Sequence, residues 1–500
     1  MKEFLVLITW LLFLAVIYYN LFVIIPEAII LGVYPYVLGI TLILGIGVLV
    51  LKFVENPSFE KVIYIVLGIS CLFVGFSFIQ VWRNAKLLNH YQENRSYYMD
   101  DLMKITRERK YEGIHLTPEQ EGIATLIEAN TGIPLTNYNR ATIINESKKI
   151  FDEMIEAMDQ AKESIHIGFF IVRDDHIGEK FKEILKKKVK EGVEVRLIYD
   201  GKGSHRLGKS FIKGLREAGV EIFAYDAIAT SILKGKLNHS NHRKMVIIDG
   251  KVAFTGGINL GDEYLGRDEA IGNWEDLCIR VEGEGAHWIQ KVFLADWYYV
   301  TEEKLLDEAY FQAIQVEEVL PMQVVTSGYD THWNEISQVY FSMITAAKES
   351  VYIATPYLIL SDSMLKALET AALRGVDVNI ILPKKPDLFI VGWANASFFE
   401  KLLKRKVKVY QYKDGFLHAK AVLVDGETLS LGSANLNTRS LHLDYELNLM
   451  IYDETLGREM KEEFKRYIEN SVQVTLEDYK SPPISQRLKE LIGRFIIPLT

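Results

Sequence analysis

Cysteine is nearly absent from this 500-residue chain: Cys71 and Cys278 are its only two. That excludes a disulfide framework and a cysteine-rich zinc site, and it suits a reducing compartment. An excess of positive charge is missing as well. Lys and Arg number 57 against 66 Asp and Glu, a formal net charge of −9. This argues against a nucleic-acid partner, because such binders draw their affinity from cationic contacts to phosphate. Low-complexity composition is lacking too. Hydrophobic residues make up 49% and charged residues 25%, the proportions of a globular chain. At roughly 100 to 200 residues per domain, two to four domains are expected. Gly256-Gly257 lacks the further glycine spacings of a dinucleotide fingerprint.

Charge is absent from three long stretches, Phe4–Ile25, Ala28–Leu51 and Val62–Trp82. Each reaches the about 20 residues that a helix needs to cross a bilayer. Trp10, Tyr18, Tyr34, Tyr64 and Trp82 supply the aromatic residues of interfacial belts. No small-residue cleavage site follows the first run, which disfavours a signal peptide. Pro26-Glu27 joins the first two runs so tightly that two crossings stand beside three as readings. Arg83, Lys86, Arg95, Lys104, Arg107, Arg109 and Lys110 follow the last run, while the loop before it offers Lys52 and Lys61. The positive-inside rule then sets the rest of the chain on the cytoplasmic face of a cell membrane. The basic stretch also favours anionic membrane lipid as a partner.

Beyond these runs the chain is doubled. Ala161–Gly168 matches Ala347–Ala354, Glu191–Tyr199 matches Arg374–Leu382, Ala218–Tyr225 matches Arg405–Tyr412, and Met245–Asp249 matches Ala421–Asp425. Each copy alternates helical stretches with β-branched strands, which predicts an α/β fold with a largely parallel sheet. The expected organisation is a transmembrane region over 1–82, a juxtamembrane linker over 83–142, units over 143–310 and 311–480 packed as a pseudo-dimer, and an amphipathic tail over 481–500.

The fourth pair carries chemistry. Counting from His242, Lys244 stands at +2, Asp249 at +7, Gly256 at +14 and Asn259 at +17. From His418 the same positions hold Lys420, Asp425, Gly432 and Asn435. Residues two apart on a strand face the same way, so each His projects beside its Lys. Gly257 and Ser433, small residues in the following turn, would let backbone approach a ligand closely. Two Lys, two Asn and backbone amides suit a phosphate. A single such match arises by chance, whereas two in one register within a repeat do not. Asp249 and Asp425, at the far end of an apolar strand, would brace the site. Asp276 and Glu446 occupy roughly matching places downstream, where each could orient a His through its ring N–H or make an ordinary salt bridge.

This duplicated pattern resembles the phospholipase D superfamily, and within it the bacterial cardiolipin synthases. Asn273–Gly283 and Thr355–Leu358 are similar to further stretches of that family. Cys278 departs from it, standing where many relatives carry His, and so does the third apolar run. The resemblance implies two phospholipase D-like units and reversible phosphatidyl transfer between two phosphatidylglycerol molecules, giving cardiolipin and glycerol. It implies no cofactor and no metal. His242 would be the nucleophile forming a phosphohistidine and His418 the acid/base, or the reverse. Lys244, Lys420, Asn259 and Asn435 would hold the phosphate, with Asp249 and Asp425 completing the catalytic motif. A phospholipase D-type hydrolase uses the same residues, with water as acceptor. A nuclease of that superfamily fits the acidity poorly, and a decayed scaffold fits the intact motifs poorly. The identity of the second lipid and the oligomeric state are open at this level. In the tail, Ile484, Leu488, Leu491, Ile492 and Phe495 follow helical spacing, suiting either a lipid surface or the protein's own core.

Overall fold

The computed structural model describes residues 98–99, 101–104, 115–226, 240–267, 272–313, 315–328, 331, 333–479 and 489. The three apolar runs and all of the 481–500 tail except Lys489 lie outside the described residues. Among those described, no helix is long and apolar enough to cross a membrane.

The first half contains β1 (Thr136–Ile144), α2 (Ser147–Gln160), β2 (Ser164–Phe169), α3 (His176–Lys190), β3 (Glu194–Asp200), α4 (Lys209–Glu217) and β4 (Glu221–Tyr225). It continues through β5 (Met245–Ile248), β6 (Val252–Gly256), β7 (Trp274–Glu275), β8 (Cys278–Gly283) and α5 (Glu284–Thr301). The second half repeats the order: β9 (Val319–Ser327), α6 (Glu335–Ala346), β10 (Ser350–Ala354), α7 (Asp362–Leu373), β11 (Asp377–Pro383), α8 (Phe389–Lys404) and β12 (Lys408–Tyr412). Then come β13 (Phe416–Leu417), β14 (Ala421–Val424), β15 (Thr428–Gly432), α9 (Thr438–His442), β16 (Glu446–Tyr452), α10 (Glu454–Glu469) and β17 (Ser471–Val474).

The strands form one 15-stranded sheet in the order β17-β12-β11-β10-β14-β15-β16-β9-β1-β8-β6-β5-β2-β3-β4. The halves meet at β9 and β1, an antiparallel pair with a register shift between Thr136 and Tyr138. Either side of that seam the strand order repeats. The sheet is not largely parallel as expected. Only β2-β3-β4 and β10-β11-β12 run parallel within it, where helical crossovers join strands that are neighbours in the sheet. The other pairs of the sheet are antiparallel, and in the β5–β6 and β14–β15 hairpins the short connection forces that direction.

Each hairpin turns at an Asp-Gly pair in which both residues have positive φ: Asp249 at 52° and Gly250 at 63°, Asp425 at 53° and Gly426 at 75°. Asp and Gly tolerate this left-handed geometry, and it matches the twist of the strands.

Helices cover both faces of the sheet. Ile150, Phe151, Phe181, Leu185 and Leu215 pack with Ile165, Val195 and Val246 in the first half. Met343, Leu368 and Leu402 pack with Ile353, Ile380 and Val409 in the second. Strands β2, β5, β14 and β16 are buried at every position, the pattern of a sheet covered on both sides.

The stretch expected as a linker holds structure of its own. Its helix α1 (Pro118–Thr131) starts with a capping box between Thr117 and Gln120, an arrangement that satisfies the otherwise unpaired N–H groups. Ile123, Ala124 and Ile127 of α1 join the second half's core. Strand β1 also begins there, at Thr136 rather than at 143.

Candidate active site

The His of each motif sits just before an antiparallel strand, β5 or β14, that lies beside the first parallel strand of its half. The site therefore opens at the carboxyl ends of β2 and β10, where open α/β sheets bind ligands. Two short parallel ladders then stitch the halves together there. In one, His242 N–H donates to Tyr445 C=O at 2.9 Å and Tyr445 N–H donates to Ser240 C=O at 2.9 Å. In the other, β13 lies along β7, with Phe416 N–H on Asn273 C=O at 2.8 Å and His418 N–H on Glu275 C=O at 2.7 Å.

Each ladder sets a His of one half against a carboxylate of the other. His242 Nδ1 lies 3.0 Å from both carboxylate oxygens of Glu446, and His418 Nδ1 lies 2.7 Å from Asp276 Oδ2. Burial alone would raise the pKa of Glu446, but His242 and Lys244 hold it below its ordinary range. Asp276 is likewise held down, by His418 and Lys420. Ionised carboxylates only accept, so each ring donates from Nδ1 and presents a bare Nε2. Burial lowers the pKa of His242 against the pull of Glu446. Burial, reinforced by Lys420, pushes His418 down to about 3. Burial thus favours the neutral form of both imidazoles.

The lysines converge on the same cluster. Lys244 Nζ donates to His242 C=O at 2.6 Å and Lys420 Nζ to His418 C=O at 2.5 Å. Burial, with Lys420 adding repulsion, brings Lys244 down to about 7. Burial brings Lys420 down to about 8. Glu446 and Asp276 pull both lysines back toward the charged form but do not outweigh burial, which leaves the pair suited to a further anion. A phosphodiester between them would supply it.

The small residues act differently from expectation. Gly257 N–H donates to Leu277 C=O at 3.0 Å and Ser433 N–H to Leu447 C=O at 2.9 Å, so neither amide is available to a phosphate. They seat the carboxylates instead. A Cβ at Gly257 would stand 2.1 Å from Asp276 Oδ1, and Ser433 Oγ donates to Glu446 Oε2 at 2.5 Å. Asn259 accepts from Ile171 N–H at 3.1 Å and donates to Tyr264 Oη at 3.0 Å. Asn435 donates to Ser440 Oγ at 3.4 Å, and its buried Oδ1 has no hydrogen-bond partner among the described residues.

Asp249 and Asp425, placed in the catalytic motif by sequence, stand apart from this cluster. Asp249 accepts from the N–H groups of Lys162, Glu163 and Ser164 at 2.8–3.1 Å. Asp425 accepts from Lys348, Glu349 and Ser350 at 2.8–2.9 Å. Each Asp lies five positions beyond its Lys, across a four-residue strand, a span of about 16 Å. They fix the opposite end of the hairpin.

Similarity to known proteins agrees with this geometry. Residues 154–297 and 340–468 match the family described as cardiolipin synthase, PLD-like domain. The chain belongs to the cardiolipin synthase family, phosphatidyltransferases of the phospholipase D superfamily. It is 37% identical over 453 residues to cardiolipin synthase 2 of Bacillus anthracis, covering 89% of this chain and 88% of that one. It is 38% identical over 385 residues to the major cardiolipin synthase of Bacillus subtilis, covering 77% and 80%. Among solved structures, phosphatidylserine synthase of Haemophilus influenzae shares the fold, with a TM-score of 0.58 at 17% identity over 76% of this chain and 98% of that one.

Within this family site, several residues escaped the sequence reading. Phe170 packs on His242 at 4.9 Å between ring centroids, and Trp274 and Phe416 flank His418 at 4.9 and 5.7 Å. Phe416 sits two before His418, a same-face spacing that could have flagged it. Arg243, the middle residue of the first motif, is fully buried. It pairs with Asp296 at 2.6 Å and donates to Glu446 C=O at 3.1 Å. The second motif has Ala419 there, so nothing in the repeat pointed to it. Among the described residues no group of three or more His, Cys, Asp or Glu is placed to hold a metal ion.

Proposed function

We propose that this chain joins two phosphatidylglycerol molecules into cardiolipin with release of glycerol. The observation that carries the reading is the pair of His side chains, each oriented by the opposite half's carboxylate, around two buried Lys. In the first step His242 Nε2 attacks the phosphodiester phosphorus. A P–N bond forms and the P–O bond to glycerol breaks, with His418 giving its proton to the departing oxygen. In the second step His418 takes the proton from a hydroxyl of the other lipid. That oxygen displaces His242 and regenerates the enzyme. His418 must be protonated at the outset. The incoming anion, beside Asp276, offsets the burial that favours the neutral ring. Lys244 and Lys420, with the side-chain amides of Asn259 and Asn435, stabilise the phosphoryl oxygens. Asp276 and Glu446 orient the rings, and Gly257 and Ser433 seat those carboxylates. Asp249 and Asp425 act structurally.

The apolar runs within 1–82 fit a membrane anchor, and the cations after Trp82 support a cytoplasmic catalytic part. Residues 136–310, with β1 included, and 311–480 serve as the two phospholipase D-like units. The test is a product analysis with head-group-labelled phosphatidylglycerol and the membrane-embedded protein. Cardiolipin and free glycerol in equal amounts, absent from His242→Ala, are expected. Phosphatidic acid as the sole lipid product would make the chain a hydrolase instead.

A further inference from the structure

The rim of the site on the His418 side carries apolar side chains turned to solvent. Leu388 is 54% and Phe389 64% exposed, and both sit at the start of α8. Phe389 packs edge-on to Trp393, with 5.1 Å between centroids. Exposed large apolar groups grouped in this way mark an interaction surface. The group is also tied to the reactive cluster. Asp387 accepts from Leu388 N–H at 2.8 Å and from Tyr357 Oη at 2.6 Å. The Tyr357 ring meets His418 at 6.5 Å. Trp333, 57% exposed, follows β9, whose last residue Ser327 pairs with Glu446.

Cations border the ridge. Lys384 and Lys385 are exposed immediately before it, and Lys489 Nζ stands 5.7 Å from the Trp393 ring. An apolar ridge edged by lysines, with an aromatic at its margin, matches an anionic lipid surface. We infer that the Leu388–Phe389–Trp393 ridge dips into an anionic bilayer and holds the mouth of the site at the level of the lipid phosphates. The cations select the surface charge, and the Asp387–Tyr357 link fixes the height of His418 above it. The inference adds to the lipid-transfer reading and rests on it for its purpose. It would let substrate enter from the bilayer without leaving it.

The test uses the full chain reconstituted in vesicles of phosphatidylglycerol and phosphatidylcholine. In a Cys71→Ala, Cys278→Ala background an environment-sensitive fluorophore is placed at Phe389→Cys. A control label goes at Lys162→Cys, exposed beside Asp249 at the opposite end of the sheet. Lipid-borne quencher is expected to quench the label at 389 at least about threefold more than the label at 162. Equal quenching at the two positions overturns the inference. So does protection of position 389 from lipid-borne and aqueous quenchers alike, which would mean that the chain itself, through its tail, covers the ridge. As a second arm, Leu388→Glu/Phe389→Glu should raise KM for phosphatidylglycerol in vesicles roughly tenfold. Turnover of dispersed short-chain phosphatidylglycerol should be unchanged. An equal loss on both substrates would indicate a structural role and count against docking. The quenching needs no turnover, so a chain that failed to make cardiolipin would leave that result standing on its own.

Discussion

His242 and Glu446 stand 204 residues apart in sequence and 3.0 Å apart in space, on opposite halves of the fold. The same exchange joins His418 to Asp276 across 142 residues. Each half supplies a reactive ring that only the other half can orient.

Replacing Glu446 by Gln should therefore act through His242. The amide no longer enforces the Nδ1–H tautomer, and kcat should fall by about 100-fold or more. The pH profile should change shape, while KM moves little. Asp276→Asn should do the same through His418. A loss in KM alone would contradict the positioning role.

Gly257→Ala should be more damaging than its size suggests, because the added carbon meets Asp276 Oδ1 at 2.1 Å. Activity should drop to near that of Asp276→Asn, with a stability loss of about 1–3 kcal/mol in denaturant titration. Ser433→Ala removes one donor from Glu446 and should cost only about tenfold in kcat.

The depressed basic groups set a dependence on pH. His418, at about 3 in the folded chain, takes up a proton on unfolding at any pH between about 3 and its ordinary value near 6.5. Its contribution to stability should therefore fall as pH drops through that window. Lys244 and Lys420, at about 7 and 8, should add stability as pH rises from there toward about 10.4. Thermal melts across pH should show both slopes, and His418→Asn should reduce the acidic one, to which the buried His166 and His287 also contribute. Binding of inorganic phosphate at pH 8 should be accompanied by proton uptake, measured calorimetrically in buffers of different ionisation enthalpy.

Asp249→Ala and Asp425→Ala should separate stability from chemistry. Each loses three N–H partners and a residue that tolerates the left-handed turn. The melting temperature should fall by an amount equivalent to about 2 kcal/mol or more. Turnover per folded molecule should stay within a few-fold of the parent.

Arg243→Met removes the cation from the buried Asp296 carboxylate, to which Asn241 still donates, and should cost about 3–5 kcal/mol. Adding Asp296→Leu should recover much of that loss, since the pair is then replaced by apolar volume. Failure of the double variant to recover would show that the bonds from Arg243 to the Glu446 and Ser327 carbonyls matter more than charge balance.

Much of this was legible in the sequence. The period of a strand puts His242 with Lys244 and His418 with Lys420, and repetition separates the pattern from chance. Asp276 and Glu446 were visible as matching carboxylates. Their exchange between halves was not, because it depends on the ladders 240–242 with 444–446 and β7 with β13, whose partners are far apart in the chain. Asp249-Gly250 and Asp425-Gly426 did carry a readable signal. Asp-Gly between two apolar strands is a hairpin turn, and giving it that weight would have corrected the parallel-sheet expectation. The continuity of the sheet through β1 and β9 left no local mark, because antiparallel partners so distant in sequence share no turn.

The seating of the carboxylates also limits how the protein can change. Gly257 stands with the shorter Asp276, and Ser433 with the longer Glu446. A side-chain carbon gained or lost by either member changes the space left to the other by about one carbon–carbon bond. Such positions must drift as couples, and each couple answers to a histidine in the opposite half. The two copies of the ancestral unit are thus no longer interchangeable spares. Each has become the other's condition for working, and a duplicated gene of this kind cannot shed or freely rewrite one copy while keeping the reaction.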